Sequence, residues 1–400
     1  MAAVTHPPSE LAQLAALPLD EQHRLGYADT LGEILQQPET WRDTANLLAT
    51  SAADAVRFLE SNPRPDHIVL TGSGSSAYVG ECLAAVLQAD LRIPCRAIAA
   101  GDLLTDLAGT LAPGGRGLIV SIARSGDSPE SAAVVDSVLA ASPSSAHLMV
   151  TCNADGRLAT RYRDDTRVRV LLLDARTNDR SLVMTSSFTN LLLAAGALAQ
   201  GDPATYAVNT ALAADLAQKI FDRHTDALAT VARKPFTNAA YLASGAGLGA
   251  ARECALKMLE MSGGAVATMA ETFLGLRHGP MSALNRPSVV VAFLSAQEDV
   301  RHYECDLLRE LTRKKLGVAR VIVGESIPPD LVVDGDLAID LPGFSRVGST
   351  QRHMIAVVVG QLLAFFRCLH LGQKPDAPSA GVLTRVVEQF AINPVGAKTS

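Results

Sequence analysis

Apolar residues recur along this chain in two different rhythms. Over residues 11–49 polar and apolar positions alternate at helical spacing: Leu31, Ile34 and Leu35, then Trp41, Ala45 and Leu48, with Pro38 as an interruption. This predicts a helical N-terminal preface. Beyond it, short continuous apolar runs take over: Ile68-Val69-Leu70-Thr71, Cys95 to Ala99, Gly117-Leu118-Ile119-Val120-Ser121, His147-Leu148-Met149-Val150-Thr151 and Val168-Arg169-Val170-Leu171-Leu172-Leu173. Helical stretches over residues 78–89 and from Pro129 separate them. Unbroken apolar strands alternating with helices predict parallel sheets covered on both faces, because crossover helices connect parallel strands. The expected class is α/β, flavodoxin- or Rossmann-like.

The second half repeats the first at an offset of 172. Leu70 falls on Leu242, Gly72 on Ser244, and Glu81-Cys82 on Glu253-Cys254; Val289-Val290-Val291-Ala292-Phe293 stands where Leu118-Ile119-Val120-Ser121 stood. A duplication follows, with units expected at 1–50 (helical), 51–215, 216–371 and a turn-rich tail over 372–400. A connecting helix is expected after Asp202-Pro203. The halves have diverged, because the dense Ser/Gly loop over residues 121–128 corresponds to Leu294-Ser295-Ala296-Gln297-Glu298, which keeps one serine.

Composition narrows the function. The 400 residues carry 35 basic and 41 acidic side chains, a formal charge of −6, and no long basic run, which argues against nucleic acid or an anionic membrane as a partner. With 48% hydrophobic residues the chain can fill sizeable cores. The first eight residues lack the basic cluster and apolar core of a secretory signal. The longest apolar stretch, residues 354–366, is interrupted by Gly360 and Gln361 and reads as too short to span a bilayer. Six scattered cysteines, with no C-x-x-C pair, fit reduced thiols in a cytoplasmic protein, Cys82 and Cys254 being small core residues. No metal site is expected.

Two loops offer chemistry for an anion. Gly72-Ser73-Gly74-Ser75-Ser76 lies between a strand and a helix, where free amides at the helix N-terminus point beyond the strand. Ala123-Arg124-Ser125-Gly126-Asp127-Ser128-Pro129-Glu130 also follows a strand, with Ser128 placed as N-cap and Pro129 at the first helical position. On neighbouring strands of an open sheet they would converge on one crevice. Gly72-x-Gly74-x-x-Ala77 also satisfies a dinucleotide fingerprint, but no acid ends the next strand: Asp90 precedes it and Asp102 follows it. The serines suit a phosphomonoester better. In the second half, Glu253, Lys257 and Glu260 share one face of a helix expected over 251–262, a spacing that by itself more often marks a solvated salt-bridge stripe. His278, pinned before Gly279-Pro280, reads as a structural turn residue or as an imidazole that titrates near neutrality.

Together the two serine loops, Ala255-Leu256-Lys257-x-x-Glu260 and Arg277-His278-Gly279-Pro280 resemble a double sugar-isomerase (SIS) domain protein, similar to the isomerase half of glucosamine-6-phosphate synthase. Gly26-Tyr27, Gln37-Pro38-x-x-Trp41 and Met184-Thr185-Ser186-Ser187-Phe188-Thr189 resemble more closely the tagatose-6-phosphate ketose/aldose isomerase group, also described as galactosamine-6-phosphate deaminase/isomerase. The resemblance spans nearly the whole chain and leaves no room for a glutaminase domain. It implies phosphate binding by Ser75, Ser76, Ser125 and Ser128, with Arg124 in place of the synthases' glutamine. It implies proton transfer by Glu260 beside Lys257, and ring opening by His278 supplied from an adjacent subunit, hence a homodimer or homotetramer. Ser73, Gly74, Thr185 and Ser186 are further candidate contacts. Thr384 or Arg385 stands where the synthases carry a tail lysine.

The reaction this implies is conversion of galactosamine 6-phosphate to tagatose 6-phosphate and ammonia, without metal or nicotinamide because hydrogen migrates within the substrate. Simple aldose/ketose isomerisation, with a hydroxyl at C2, uses the same steps. A non-catalytic phosphosugar sensor is the remaining alternative, and residues 1–50 lack the basic recognition helix a DNA-binding regulator would add.

Overall fold

The apolar runs become strands wherever they can be covered on both faces. The computed structural model describes residues 8–61, 64–111, 114–379, 381–387 and 391–392. The first sheet comprises β1 (His67–Gly72), β2 (Cys95–Ala99), β3 (Gly117–Ala123), β4 (Ala146–Thr151) and β5 (Val168–Leu172), all parallel, in the order β2-β1-β3-β4-β5. The second comprises β6 (Asn238–Ala243), β7 (Ala267–Thr272), β8 (Ser288–Phe293), β9 (Ala319–Gly324) and β10 (Leu337–Asp340), in the order β10-β9-β8-β6-β7. Read from its other edge, the second order is the first one repeated. Every residue of β3, β8 and β9 is buried, whereas the edge strands β2 and β5 alternate. The duplication is thus visible in topology, with the two central pairs β1/β6 and β3/β8 at an offset of 171 and the Glu-Cys pair on the helices at 172.

Nine helices place the functional residues: α1 (Ala28–Leu35), α2 (Gln37–Ser61), α3 (Ser75–Leu91), α4 (Pro129–Ala141), α5 (Ser186–Gly196), α6 (Pro203–Arg223), α7 (Gly247–Met261), α8 (Glu298–Arg313) and α9 (Ser349–His370). The preface folds as expected but continues past residue 50, and Pro38 sits in the first turn of α2, where a missing N–H costs nothing. Trp41 is fully buried and donates its indole N–H to Thr189 Oγ1 at 2.8 Å, which ties α2 to α5. Asp202 caps α6 by accepting from the amides of Ala204 and Thr205.

One hydrophobic cluster runs from Leu70 and Val120 of the first sheet through α9 to Tyr241 and Val291 of the second, so the halves share a core. The expectation for residues 354–366 needs correction: α9 is 22 residues long, and by length and composition alone it could cross a membrane. Its most apolar stretch is 83% buried inside the protein. The helix runs longer than the apolar run because its polar positions find partners. Gln361 donates to the carbonyl of Thr185 and accepts from Gln37, and Arg367 donates to the carbonyls of Ala232, Lys234 and Phe236. All six cysteines are free and buried.

Helix α7 is clamped on two sides by glycine contacts. A Cβ on Gly249 would lie 2.5 Å from the backbone nitrogen of Cys82 in α3, and one on Gly360 of α9 would lie 2.3 Å from Cys254 Sγ. Such approaches leave no space for a side chain. Gly249→Val should therefore lower stability by about 1–3 kcal/mol or more through overpacking, read as a lower urea midpoint at unchanged m-value.

Candidate active site

The first serine loop owes its shape to two glycines. A Cβ on Gly72 would lie 2.6 Å from Ser76 Cβ and 2.8 Å from the carbonyl of Ile122, and Gly74 takes φ +56°, a left-handed value. Ser75 and Ser76 thereby become the first residues of α3, both buried. Among the described residues the amides of Ser73 and Gly74 donate no hydrogen bond. The second loop leaves β3, which pairs directly with β1, Thr71 opposite Ser121. The two loops therefore emerge side by side at the carboxyl ends of the strands where the order reverses, the usual ligand crevice of an open α/β sheet. Gly126 takes φ +67°, Asn153 Nδ2 donates to the carbonyl of Ser125 at 2.9 Å, and Ser125 Oγ accepts from the amide of Asp127. Ser128 occupies the N-cap position of α4, but its hydroxyl makes no capping bond. Sequence reasoning missed Thr71 and Ser121, whose buried hydroxyls have no partner below the loops.

Arg124 does not stand as a free cation beside this crevice. Its guanidinium donates to the carbonyls of Ser181, Leu182 and Arg385 at 3.1, 3.2 and 2.9 Å, so it braces the tail against the 181–182 segment. Burial pushes its pKa down, although nearby Asp179 opposes the shift. Those carbonyls, one buried and two half-buried, are acceptors that the guanidinium satisfies.

Across from the serines, α7 carries its charged face inward rather than as a solvated stripe. Glu253 and Lys257 are 0% and 1% exposed, while the Glu260 side chain keeps 21% exposure. Lys257 Nζ lies 2.5 Å from Glu260 Oε2, 3.4 Å from Glu253 Oε1 and 3.2 Å from Ser75 Oγ. One ammonium thus touches the first serine loop and both carboxylates. Burial raises the Glu253 pKa to about 7, with Lys257 opposing the rise. For Lys257 burial acts downward, but the two carboxylates outweigh it and the net direction is up, so the amine stays charged.

Other expected residues lie around this centre rather than in it. Met184 Sδ approaches Ser76 Oγ at 4.0 Å, so the 184–189 motif abuts the cradle. Thr185 and Ser186, however, are fully buried. The Ser186 hydroxyl donates to Asp179 and accepts from Gln36, and the Thr185 amide donates to Asp179. These two support the site from behind. Glu33 joins this network by accepting from the amides of Arg180 and Ser181, and burial, then Asp179, raises its pKa to about 8. Thr384 is exposed and donates to the carbonyl of Val386, while Arg385 donates to the carbonyl of Asp179 and to Asn178. His278 lies exposed on the turn after β7 and the short helix Phe273–Leu276. Among the described residues no hydrogen bond or ion pair joins it to α7 or to the serine loops. Arg277 anchors that turn through Glu310 at 2.7 Å and Asp306 at 2.6 Å.

No protein-family model matches the chain. It is 39% identical over 385 residues to an AgaS protein of Streptomyces coelicolor, covering 94% of this chain and 97% of that one. It is 36% identical over 374 residues to D-galactosamine-6-phosphate deaminase AgaS of Escherichia coli, covering 90% and 94%. Among solved structures, tagatose-6-phosphate ketose/aldose isomerase from Escherichia coli superposes with a TM-score of 0.84 at 31% identity, over 92% of this chain and 97% of that one.

Two expectations follow. Ser76→Ala combined with Ser125→Ala should weaken binding of a hexose 6-phosphate by about 1.5–3 kcal/mol per lost charged hydrogen bond, measured by calorimetry; unchanged affinity would move the cradle elsewhere. Glu253 has a folded pKa above its unfolded value, so its burial stabilises only the protonated form. That contribution is intact below about pH 4.5 and is lost as pH rises toward 7. Denaturation of Glu253→Gln and wild type should therefore give matching stabilities near pH 4 and a gap favouring the variant that widens up to pH 7.

Proposed function

The chain belongs to the D-galactosamine-6-phosphate deaminase AgaS family of double SIS-domain proteins, and from that premise we propose that it converts galactosamine 6-phosphate and water to tagatose 6-phosphate and ammonia. The observation that carries this reading is the Lys257 ammonium in contact with both Ser75 and Glu260. It supports a crevice shared by an anion site and a partly exposed carboxylate, as a reaction at the far end of a tethered sugar phosphate requires.

In this reading the phosphate sits on Ser75, Ser76, Ser125 and Ser128 with the free amides of Ser73 and Gly74. Thr71 and Ser121 complete the floor. His278 of a neighbouring subunit donates a proton to the ring oxygen, which opens the pyranose and exposes the C1 aldehyde. Its exposed turn supports such an exchange between protomers, in a homodimer or homotetramer. Glu260 then takes the C2 proton, acidified by that aldehyde, and the enolamine regains a proton at C1 to leave a C2 imine. Water adds to the imine carbon and ammonia departs. Lys257 is the positioning residue, holding the Glu260 carboxylate toward the phosphate loop. Arg124, Arg385, Thr185 and Ser186 act one layer out by fixing the tail and the 178–187 segment over the crevice. A small polar substrate handled this way suits a cytoplasmic enzyme.

A second reading is aldose/ketose isomerisation of a substrate with a hydroxyl at C2, favoured by the name of the Escherichia coli structure. The same residues then act without hydrolysis.

Ammonia release from galactosamine 6-phosphate separates the two readings, with glucosamine, tagatose and fructose 6-phosphates as comparisons. Glu260→Gln should lower turnover by about 10²–10⁴-fold while the sugar phosphate still binds within a few-fold of wild type. Undiminished turnover would remove Glu260 as the proton carrier.

A further inference from the structure

The strand–turn–helix that forms the cradle is built twice. In the second half Ala243-Ser244-Gly245-Ala246-Gly247 follows β6 as Gly72-Ser73-Gly74-Ser75-Ser76 follows β1. Gly245 takes φ +57° against +56° at Gly74. The turn hydrogen bonds match as well: the amides of Ser76 and Ala77 donate to Ser73 and Gly74, and those of Gly247 and Leu248 donate to Ser244 and Gly245. The partner loop after β8 lies beside it, since β6 pairs with β8 as β1 pairs with β3. At this second point of strand-order reversal lies a cavity of about 220 Å³, whose walls include Gly245, Gly247, Ser295, Glu304, Arg352 and His353. That is below the roughly 300–1,000 Å³ of drug-sized sites, so its occupant must be a small metabolite.

The serines of the first cradle are replaced here by other groups. Arg352, from the first turn of α9, has no carboxylate partner among the described residues; it donates to the carbonyl of Val347 and to Ser349 Oγ. His353 Nδ1 is buried without a partner, and its Nε2 lies 3.9 Å from where a Cβ on Gly247 would sit. Burial, then Arg352, lowers the imidazole pKa to about 4, so it serves as a neutral hydrogen-bonding group near pH 7. On another wall Glu304 is fully buried. Its Oε2 accepts from the amide of Ser295 at 2.7 Å, and its Oε1 has no partner. The cavity therefore offers to an anion an unpaired cation, an imidazole and, among the described residues, the undonated amides of Gly245 and Ala246 just before α7, and an open carboxylate oxygen to a donor.

We propose that this cavity is a second, non-catalytic site for a small phosphomonoester bearing hydroxyl or ammonium groups, a hexose or amino-sugar monophosphate. Its phosphate takes Arg352, His353 and the start of α7, and a hydroxyl or ammonium donates to Glu304. The occupant rests on the N-terminal turn of the helix that carries Lys257 and Glu260 farther along.

Equilibrium dialysis of full-length Glu260→Gln protein with galactosamine 6-phosphate tests this without turnover. Two molar equivalents per chain are expected. Arg352→Met should abolish one and Glu304→Gln should weaken the same one about tenfold, while Ser76→Ala with Ser125→Ala removes the other. A single equivalent that is lost with the serines and indifferent to both cavity substitutions overturns the proposal. So does a second equivalent that survives both substitutions. A single equivalent lost with Arg352→Met and indifferent to the serines would uphold the cavity and refute the cradle. Glu304→Gln, nearly isosteric, decides the matter should Arg352→Met fail to fold by circular dichroism.

Discussion

The arrangement depends first on a buried positive charge. An ammonium removed from water is unfavourable unless carboxylates and hydrogen-bond acceptors surround it, and Lys257 has two carboxylates and the Ser75 hydroxyl. Remove the lysine and Glu253 is left buried with no counter-charge, a loss of about 3–5 kcal/mol in comparable pairs. The same ammonium ties the second half of the chain to the first serine loop. Stability and site geometry therefore rest on one contact.

Helix packing puts that contact where it is. Gly249 brings the backbone of α7 against α3, and Gly360 brings α9 against the opposite side, so α7 has almost no freedom to slide or rotate. Glu253, Lys257 and Glu260 inherit this rigidity. A carboxylate carried on a loop would have to be ordered when substrate arrives, whereas Glu260 projects from a helix whose neighbours are in backbone contact.

Much of this was legible in the sequence because it follows from backbone rules. The apolar runs at Ile68, Leu118 and Leu148 could only be central strands, and Gly72 and Gly74 marked a turn no other residue could make. Strands β7, β9 and β10 were harder to read: Ala267-Thr268-Met269-Ala270-Glu271-Thr272 is an edge strand with five half-buried positions and no apolar run to betray it. Side-chain destinations were least legible. Arg124 reads as a phosphate ligand by position, yet three carbonyls distant in sequence hold it, and no local pattern announces Ser181 or Arg385 as its partners. Thr185 and Ser186 look like contacts for a sugar until Asp179 and Glu33 are seen to occupy them. Glu253 passed as a salt-bridge member by its spacing, because spacing does not reveal which face of a helix is covered. Thr71 and Ser121 could have been suspected, since both are hydroxyl residues closing otherwise apolar strands.

The buried spine formed by α9 also bears on how the molecule can move. Tyr241 and Leu70 belong to one continuous interior, so the halves could not swing apart as rigid bodies without tearing it open. Any gating motion has to be found at the periphery. The C-terminal strap fits that role: it is pinned by Asp376 to Thr30 and by Arg124 and Arg385 to residues 178–182, all polar fastenings that water can replace. Peeling that ribbon away would break a handful of polar ties and leave the shared interior whole.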